Sequence, residues 1–421
     1  MVRLVFASLV LLAALASEAD VIAVWAGQLI DPESARVLTQ QTIVIRDGII
    51  ESVGPGASVP PGARVIDLTA YTVLPGLIDS HSHLIGDARS PDPLLELQHT
   101  AAQTTLLSLP NARAVLMSGF TTVRDLGTYR ALLDVAMRDA IDRGDVVGPR
   151  MYVVGAYITI TGGAGAMTGM APDVTLPWDM RYGNANTPDE VRERVRALAG
   201  QGVDLIKMLA TGAVLTHGSN LNARESTRAE LDAAVDEARN FGLKVAAHAH
   251  SPEGIKNAIR AGVASIEHGT LMDDEARALM KQKGTYLVPT LEAFVCINRG
   301  GFPPDFVAHL QKIGTQQLEN FRKAVAAGVK IAFGTDSGVC PYTKNAEEFG
   351  FMVDNGMTPM QAIQAATVSA ADLLGRSDRL GSIRPGKFAD IIAVRHDPLA
   401  NIRELEDVRF VMKQGVVYKA D

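Results

Sequence analysis

Residues 73–84 read Val-Leu-Pro-Gly-Leu-Ile-Asp-Ser-His-Ser-His-Leu, an apolar run that ends in two histidines separated by one residue. Such a run is typical of a buried β-strand. Because residues i and i+2 of a strand point to the same side, His81 and His83 would present two imidazoles to one point at the strand's carboxyl end. Two imidazoles directed at one point can serve as the first pair of ligands of a metal ion. On its own, the pattern fits equally well two polar residues where a strand frays into a loop.

The composition and the first residues restrict the partners and the compartment. The chain has 421 residues, a net charge of −7 and no basic run, which disfavours nucleic acid and anionic membrane surfaces. A short basic start is followed by an apolar segment over residues 4–16, a pattern typical of a secretory signal peptide and too short to span a bilayer. We therefore expect residues 1–19 to be removed and the mature protein to be exported without a stable membrane anchor.

The chain has two cysteines, Cys296 and Cys340, which are too few for a disulfide framework. One bridge would be possible after export, but we expect two unpaired thiols. Neither cysteine belongs to a CxxC pair, so the sequence disfavours a thiolate metal site.

Short β-type runs broken by turns occupy both ends of the chain, as in residues 21–24, 42–45 and 389–394. They predict one small β-sandwich domain formed by residues 20–74 and 380–421.

The middle of the chain alternates apolar strands with helical segments, for which we predict helices over 188–198, 228–241 and 274–282. Eight strand candidates end near His83, Asp125, Gly155, Lys207, His250, His268, Pro289 and Asp336. Eight strand–helix units predict an α/β fold, with a (β/α)8 TIM barrel over residues 75–379. A doubly wound sheet is the alternative, but no GxGxxG follows the first strand.

The polar residues at the predicted strand ends form a restricted chemical set. In a barrel the active site lies at the carboxyl ends of the strands. Five of the nine histidines fall there, together with one carboxylate and one amine: His81, His83, Lys207, His248, His250, His268 and Asp336. Histidines and a carboxylate from several strands suit Zn²⁺ or a similar divalent ion, and scattered polar residues no longer explain the pattern well.

Lys207 needs a separate interpretation, because a metal ion repels an ammonium group. If the amine is masked as a carbamate, it supplies two oxygens that can bridge two metals. From spacing alone, a salt bridge between Lys207 and a nearby acid is favoured.

Several motifs together resemble the amidohydrolase superfamily. They are Pro75–His83, Lys207, His248, the run Ile266–Thr270, the run Gly334–Gly338, and the tail Leu380–Asp390, which is similar to the superfamily's return into the β domain. The chain looks closest to the imidazolonepropionase-related group, which includes prolidase-like and Xaa-Arg dipeptidases and ochratoxin-hydrolysing enzymes. The resemblance covers nearly all of the chain after the signal segment.

The resemblance implies a site with two divalent ions, most simply Zn²⁺. His81, His83 and Asp336 would bind the more buried ion, His248 and His268 the more exposed one, and a carboxylated Lys207 would bridge both. Asp336 would also transfer the proton. His250 lies outside this ligand set and is interpreted as a substrate or oxyanion contact, with a solvated loop histidine as the alternative.

Substrate choice is expected in the loops that follow the strands. His217, Arg224 and Arg299 are candidates for holding a substrate carboxylate, although for each of them a solvated loop residue is the favoured interpretation. The glycine-rich run 161–166 lacks a following GK[ST], so we interpret it as a turn or lid and not as a phosphate loop.

Three hypotheses for function remain open. The first is a metal-dependent amidohydrolase that cleaves an amide bond to a C-terminal amino acid in a dipeptide or N-acyl amino acid, with an ochratoxin-like amide included. The second is a cyclic amide hydrolase of the imidazolonepropionase type, and the third is an exported binding protein without activity. A serine hydrolase is disfavoured, because 334–338 lacks the GxSxG spacing. We also expect a homo-oligomer.

Overall fold

The computed structural model describes residues 21–86, 95–171, 173–216, 218–299 and 304–421. The predicted signal segment, residues 1–19, lies outside the described residues. Within the described part of the chain, no helix has both the length and the apolar character needed to cross a membrane.

Fifteen strands are described along the chain. They are β1 (Val21–Asp31), β2 (Arg36–Arg46), β3 (Ile49–Pro55), β4 (Arg64–Pro75), β5 (Leu77–Ser82), β6 (Phe120–Asp125), β7 (Arg150–Tyr152), β8 (Tyr157–Ile158), β9 (Leu205–Leu209), β10 (Lys244–Ala249), β11 (Ser265–His268), β12 (Tyr286–Val288), β13 (Ile391–Val394), β14 (Phe410–Lys413) and β15 (Val416–Ala420).

The α-helices lie mainly between the strands of the middle region. They are α1 (Leu95–Gln98), α2 (Ala101–Met117), α3 (Leu133–Asp142), α4 (Pro188–Gly200), α5 (Arg228–Asn240), α6 (Pro252–Ala261), α7 (Asp274–Lys283), α8 (Leu291–Arg299), α9 (Pro304–Ala327), α10 (Glu347–Asp354), α11 (Pro359–Gln364) and α12 (Ala370–Leu374). A π-helical turn over Ala365–Ser369 joins the last two, and 3₁₀ turns occupy Trp178–Arg181 and Ile402–Glu406.

Strands from both chain ends share one seven-stranded sheet in the order β15-β14-β13-β4-β1-β2-β3. The β1–β4 pair is parallel, and β4 is antiparallel to β13, which joins the two ends. Residues from both segments, such as Ile22, Val24, Ile391 and Phe410, pack in one apolar cluster. The joint β unit is therefore seen, while its division into the two packed sheets of a sandwich remains a prediction.

The middle of the chain has the TIM-barrel type of fold. Two parallel sheets, β5-β6-β7 and β8-β9-β10-β11-β12, provide most of the wall. A backbone hydrogen bond joins the two sheets between β7 and β9. Asp204 N–H, just before β9, donates to the carbonyl of Val153, just after β7, at 2.8 Å. On the other side, the segment 330–337 lies between β12 and β5, since Leu287 N–H donates to Lys330 O and Ser80 N–H to Phe333 O, each at 2.8 Å.

Two of the predicted barrel strands are less regular than expected. The third is divided into β7 and β8 by Gly155, which has a φ of +73°. The eighth, predicted over 330–336, forms only isolated bridges, Ile331 to Leu287 and Ser337 to Ser82. The second irregularity has a physical cause, because Asp336 itself has a φ of +60°, a left-handed conformation that ends a ladder.

The predicted helices over 188–198, 228–241 and 274–282 are seen with slightly different bounds, as α4, α5 and α7. Each begins at a polar N-cap side chain that accepts a backbone N–H: Thr187, Thr227 and Asp273, respectively. Such caps satisfy donors that the first turn of a helix leaves free, and so they fix where each helix begins.

The expectation of unpaired thiols is wrong. Cys296 of α8 and Cys340 form a disulfide with a Cα–Cα distance of 5.5 Å. The two residues are 44 positions apart in sequence, but the loops that follow barrel strands seven and eight are neighbours in the ring, and this closeness brings the sulfurs together.

The β1–β4 pairing offers a test of the sheet that joins the two chain ends. Gly27 lies at the irregularity in this pairing, and a Cβ there would lie 2.0 Å from the Thr69 carbonyl oxygen. Gly27→Ala should therefore destabilise the protein by about 1–3 kcal/mol, the usual cost of overpacking. Denaturant unfolding measures this loss. Gly54→Ala in β3 is the control, because a Cβ there meets nothing within 4 Å, and equal stability of the two variants would contradict the register.

Candidate metal centre

Three barrel segments bring their histidines to one end of the ring. His81 lies in β5 and His83 follows it, His248 lies in β10 with His250 just after it, and His268 ends β11. Both H-x-H pairs follow the period of two that places i and i+2 on one side of a strand. The ring centroids of His81 and His83 are 5.3 Å apart, and those of His248 and His250 are 4.6 Å apart.

Asp336 lies against the first pair. Its Oδ1 is 3.3 Å from His81 Nε2 and 3.2 Å from His83 Nε2. One nitrogen or oxygen atom each from His81, His268 and Asp336 lie within 4.8 Å of one another. A single ion can contact three such atoms, so this group has the donors and the spacing of a metal site.

A second group overlaps the first at one residue. One ring nitrogen each from His248, His250 and His268 also lie within 4.8 Å of one another. His250 is buried and its ring stacks on His268 with 5.0 Å between centroids, so the alternative of a solvated loop histidine is wrong. His250 therefore has the reach of a ligand as well as that of a substrate contact.

Four of the five histidines use Nδ1 to contact a neighbouring oxygen, which leaves Nε2 available. The contacts are His81 with Glu267 Oε2 at 2.9 Å, His83 with the Gly127 carbonyl at 2.7 Å, His250 with Thr270 Oγ1 at 2.8 Å and His268 with Thr290 Oγ1 at 2.7 Å. With the proton on Nδ1, each Nε2 presents a lone pair. Oxygen partners of this kind orient metal-binding histidines in proteins.

The oxygen that orients His81 belongs to a buried chain of charges. Arg124, 2% exposed, donates to Glu267 Oε1 at 2.8 Å and to Ser265 Oγ at 3.0 Å. Burial alone would raise the pKa of Glu267, but Arg124 and His81 hold this pKa at about 2. Glu267 is therefore ionised, and an ionised carboxylate accepts the His81 Nδ1 proton strongly.

Left-handed backbone conformations occur at three of the strand ends. His268, Thr290 and Asp336 have φ values of +68°, +50° and +60°. Such residues cost on the order of 1–3 kcal/mol each and are concentrated at functional sites. The conformation of His268 has a visible result: Glu267 and His268 are consecutive, yet both contact His81, which regular strand alternation would prevent.

Lys207 is 3% exposed and lies in β9, opposite Ala246 of β10. Among the described residues its ammonium group has no ion pair within 4.0 Å, so the expected salt bridge is not seen. Burial lowers the pKa of Lys207 to about 8, against the opposing charges of Glu267 and Asp336. A neutral amine is therefore accessible near neutral pH, and the neutral form is the one that reacts to form a carbamate.

Electrostatics keep the remaining donors in their ligating forms. Burial lowers the pKa of His248 and His268 well below the usual range, and lowers that of His250 to about 4. Burial would raise the pKa of Asp336, but His81 and His83 hold it well below the usual range. The site thus combines the neutral imidazoles of His248, His250 and His268 with the ionised carboxylate of Asp336, which suits a divalent cation.

Sequence reasoning missed the residues that support the donors: Arg124, Glu267, Thr270, Thr290 and Asp79. Asp79 is fully buried and joins the first and last barrel segments by accepting from Thr335 Oγ1 at 2.6 Å and Asn345 Nδ2 at 2.9 Å. Burial raises the pKa of Asp79 to about 6. One signal was available: a charged residue inside an apolar strand, as Arg124 is in β6, must have a buried partner.

Of the three predicted substrate contacts, Arg224 has a described side chain. Arg224 is exposed, and its backbone pairs with Thr211 in the loop after β9. His217 lies outside the described residues, and the side chain of Arg299 is not described. The glycine-rich run does contact the β9 loop, since Ala164 N–H donates to Glu225 Oε2 at 2.7 Å.

Comparisons with known proteins agree on one family. The sequence model of the amidohydrolase family matches residues 72–418. The ochratoxinase of Aspergillus niger is 33% identical over 431 residues, covering 96% of this chain and 87% of that protein. The imidazolonepropionase of Pseudomonas entomophila is 28% identical and covers 87% of this chain and 90% of its own.

A solved structure agrees over the same length. The structure of a Xaa-Pro dipeptidase with bound methionine in its active site superposes with a TM-score of 0.88 at 40% identity, covering 95% of this chain and all of the other. The crystal structure of the A. niger ochratoxinase superposes with a TM-score of 0.84 at 30% identity.

The Arg124–Glu267–His81 chain can be tested directly. Glu267→Gln keeps the shape of the side chain but removes the charge that accepts the His81 proton. The apparent Kd of the metal-free protein for Zn²⁺ should rise about 10–100-fold, as for other losses of a ligand's supporting partner. Titration against a competing chelator measures it. Glu275→Gln, at an exposed residue of α7, is the matched control; an unchanged Kd in Glu267→Gln would show that Glu267 does not support the site.

Proposed function

The chain belongs to the amidohydrolase family, and on this premise we propose that it is a hydrolase that uses two divalent ions to cleave an amide bond to a C-terminal amino acid. One observation carries the proposal. His81 and His83 direct Nε2 at Asp336 while neighbouring oxygens occupy their Nδ1 atoms, so the donors are oriented towards a common space.

The donors fit the ions chemically. Imidazoles and a single carboxylate are ligands found in Zn²⁺ sites, and each of the two groups of three donors, which share His268, is close enough to contact one ion. We assign one ion to His81, His83 and Asp336, and the other to His248 and His268. Lys207, carboxylated, would bridge them. When bound, such ions lower the pKa of a water and polarise a carbonyl group.

The protein's own residues would move the protons. Asp336, ionised and 16% exposed, can accept a proton from the attacking water and pass it to the leaving nitrogen. An amide requires this second transfer, because an unprotonated amine anion is a very poor leaving group. His250 is buried beside His248 and neutral near pH 7. When the Thr270 hydroxyl donates to its Nδ1, the ring proton lies on Nε2, which can donate to the substrate's carbonyl oxygen without adding a positive charge.

The substrate class rests on the relatives. Similarity to an ochratoxinase and to a Xaa-Pro dipeptidase favours a dipeptide or an N-acyl amino acid. In both, the amide nitrogen belongs to an amino acid whose carboxylate is free. Arg224 is exposed on the loop after β9 and is a candidate for binding that carboxylate. Similarity to an imidazolonepropionase supports cyclic amides as the second candidate.

A substrate panel tests the proposal. Zinc-loaded protein is assayed with Xaa-Pro and Xaa-Arg dipeptides, N-acyl-phenylalanines and imidazolone rings, and with the same amides carrying a blocked C-terminal carboxylate. We expect hydrolysis of the linear amides that falls when the carboxylate is blocked. Turnover of imidazolones alone would favour the second candidate, and no turnover with full metal content would favour a binding protein.

Asp336→Asn tests proton transfer. The amide keeps the size of the side chain but accepts no proton, so kcat should fall by about 10²–10⁴-fold while part of the metal is retained. Steady-state kinetics and elemental analysis measure both effects. Asp378→Asn, at an exposed carboxylate, is the matched control. Near-normal kcat in Asp336→Asn would remove the proton-transfer role.

Lys207→Ala tests the bridge. The loss of a ligand shared by both ions should reduce the metal content clearly below two per chain, measured by elemental analysis after gel filtration. Lys281→Ala, at an exposed position of α7, should leave the content unchanged. Two metals per chain in Lys207→Ala would contradict the bridging role.

A further inference from the structure

The disulfide joins two loops that both begin at the metal centre. Cys296 lies in α8, which starts at Leu291, one residue after Thr290, the hydroxyl partner of His268. Cys340 lies four residues after Asp336. The cross-link therefore connects the loop that supports His268 to the loop that starts at Asp336.

The segment from Asp336 to Cys340 is compact. Val339 N–H donates to the Asp336 carbonyl at 3.0 Å, and Gly338 N–H donates to the Cys340 carbonyl at 3.3 Å. Ser337 pairs with both Cys340 and Ser82. We call residues 336–340 the Asp336 turn. Because the turn is closed by its own hydrogen bonds, a restraint at Cys340 is transmitted to Asp336.

A small apolar cluster includes the sequence neighbours of both cysteines, Ile297 and Val339. Its buried members come from the β9 loop, α8, α9 and the Asp336 turn: Val214, Leu221, Ala293, Ile297, Leu310, Ile313 and Val339. The disulfide is thus the covalent part of a contact that holds α8 against the Asp336 turn and against the loop proposed to bind substrate.

A buried carboxyl group next to the disulfide has no structural explanation so far. Glu292 is 0% exposed, and neither of its carboxyl oxygens has a hydrogen-bond partner among the described residues. One of those oxygens lies within 4.8 Å of both sulfurs. An unsatisfied buried polar group costs about 1–3 kcal/mol, so its presence in a native fold calls for a functional reason.

The surroundings keep Glu292 protonated. Burial, and then the neighbouring Glu348, raise the pKa of Glu292 well above the usual range; Glu347 and Asp79 act in the same direction and Lys344 opposes them. Burial raises the pKa of Glu348 as well. Glu348 accepts the backbone N–H groups of Leu291 and Glu292, at 3.1 and 2.6 Å, and so fixes the start of α8. A neutral carboxylic acid is thereby held beside the sulfur–sulfur bond.

We propose that Cys296–Cys340 is a reversible thiol-exchange site, that Glu292 is its proton donor, and that the closed disulfide positions Asp336. The partner reactant is a dithiol. The effect on turnover rests on the proposed hydrolase function, whereas the exchange itself does not.

The exchange takes place in two steps. A thiolate of the dithiol attacks Cys296 Sγ, the more exposed of the two cysteines, and the S–S bond breaks. The bonding electrons pass to Cys340 Sγ, which takes the proton of Glu292. The second thiolate of the dithiol then attacks the dithiol sulfur that is bonded to Cys296 and displaces the Cys296 thiolate. Solvent protonates this thiolate and later restores the proton of Glu292. The protein disulfide is reduced by two electrons and the dithiol becomes a disulfide.

The experiment uses the folded, zinc-loaded enzyme and dithiothreitol as the dithiol. Opening is followed by trapping thiols with iodoacetamide and counting adducts by mass spectrometry. Zinc content, kcat and KM are measured after removal of the reductant, and circular dichroism checks the fold. We expect two adducts in the reduced protein, none before reduction, and a fall in kcat of about tenfold or more with KM little changed, because Asp336 is displaced. Reoxidation should restore kcat.

Two variants separate the parts of the proposal. Glu292→Gln should slow opening about tenfold or more, because an amide gives no proton, while Glu319→Gln on the exposed side of α9 should not. The double variant that carries both Cys296→Ser and Cys340→Ser should have a low kcat with and without dithiothreitol. This result would exclude zinc removal by the reductant as the cause of the fall in kcat.

Each part has an outcome that overturns it. Two adducts before reduction, or no opening in the folded protein, would refute the exchange site. Equal opening rates in Glu292→Gln and wild type would refute the proton donor. Unchanged kcat and zinc content in the opened enzyme would refute the positioning of Asp336. If no substrate is turned over, the adduct counts and the opening rates still decide the exchange site and the proton donor, so failure of the proposed function is recognised separately.

Discussion

The buried ion pair between Arg124 and Glu267 is the interaction on which the site depends. Two charges removed from water are costly, and breaking one such pair by removing a partner costs about 3–5 kcal/mol. Here the pair connects β6 to β11, and through Glu267 it reaches His81 of β5. His81 in turn contacts Asp336. The ring of strands and the orientation of the donors therefore rest on the same charges.

Strain at the strand ends is the second constraint. His268, Thr290 and Asp336 have left-handed backbones, which L-residues adopt only when the surroundings enforce them. The Asp79 hydrogen bonds to Thr335 and Asn345 provide part of this enforcement around Asp336. The result is geometric: donors converge from strand ends that regular alternation would direct to opposite faces. The apolar core of the barrel supplies the stability against which this strain is held.

The period-two pattern explains why so much of the site was predictable. Apolar strands that end in H-x-H bring His81, His83, His248 and His250 to one face without further information. The same rule assigns Glu267 to the face opposite His268, so the partner of His81 was missed. Lys207 shows a related limit. Spacing favours a salt bridge for a lysine near acids. Lys207 forms none with the described residues and is buried in the barrel wall, and only the packed barrel determines that burial.

Contacts between loops set the limit of prediction from sequence. The Cys296–Cys340 disulfide and the Ala164–Glu225 hydrogen bond each join loops from different strands. No local pattern encodes them, because each depends on where neighbouring strands of the ring end. The donors lie on strand ends that follow a simple period, while α8 and the β9 loop are held over them by such contacts. The convergence of the donors and the contacts between loops thus have different physical origins in this chain, and only the first can be read from strand periodicity.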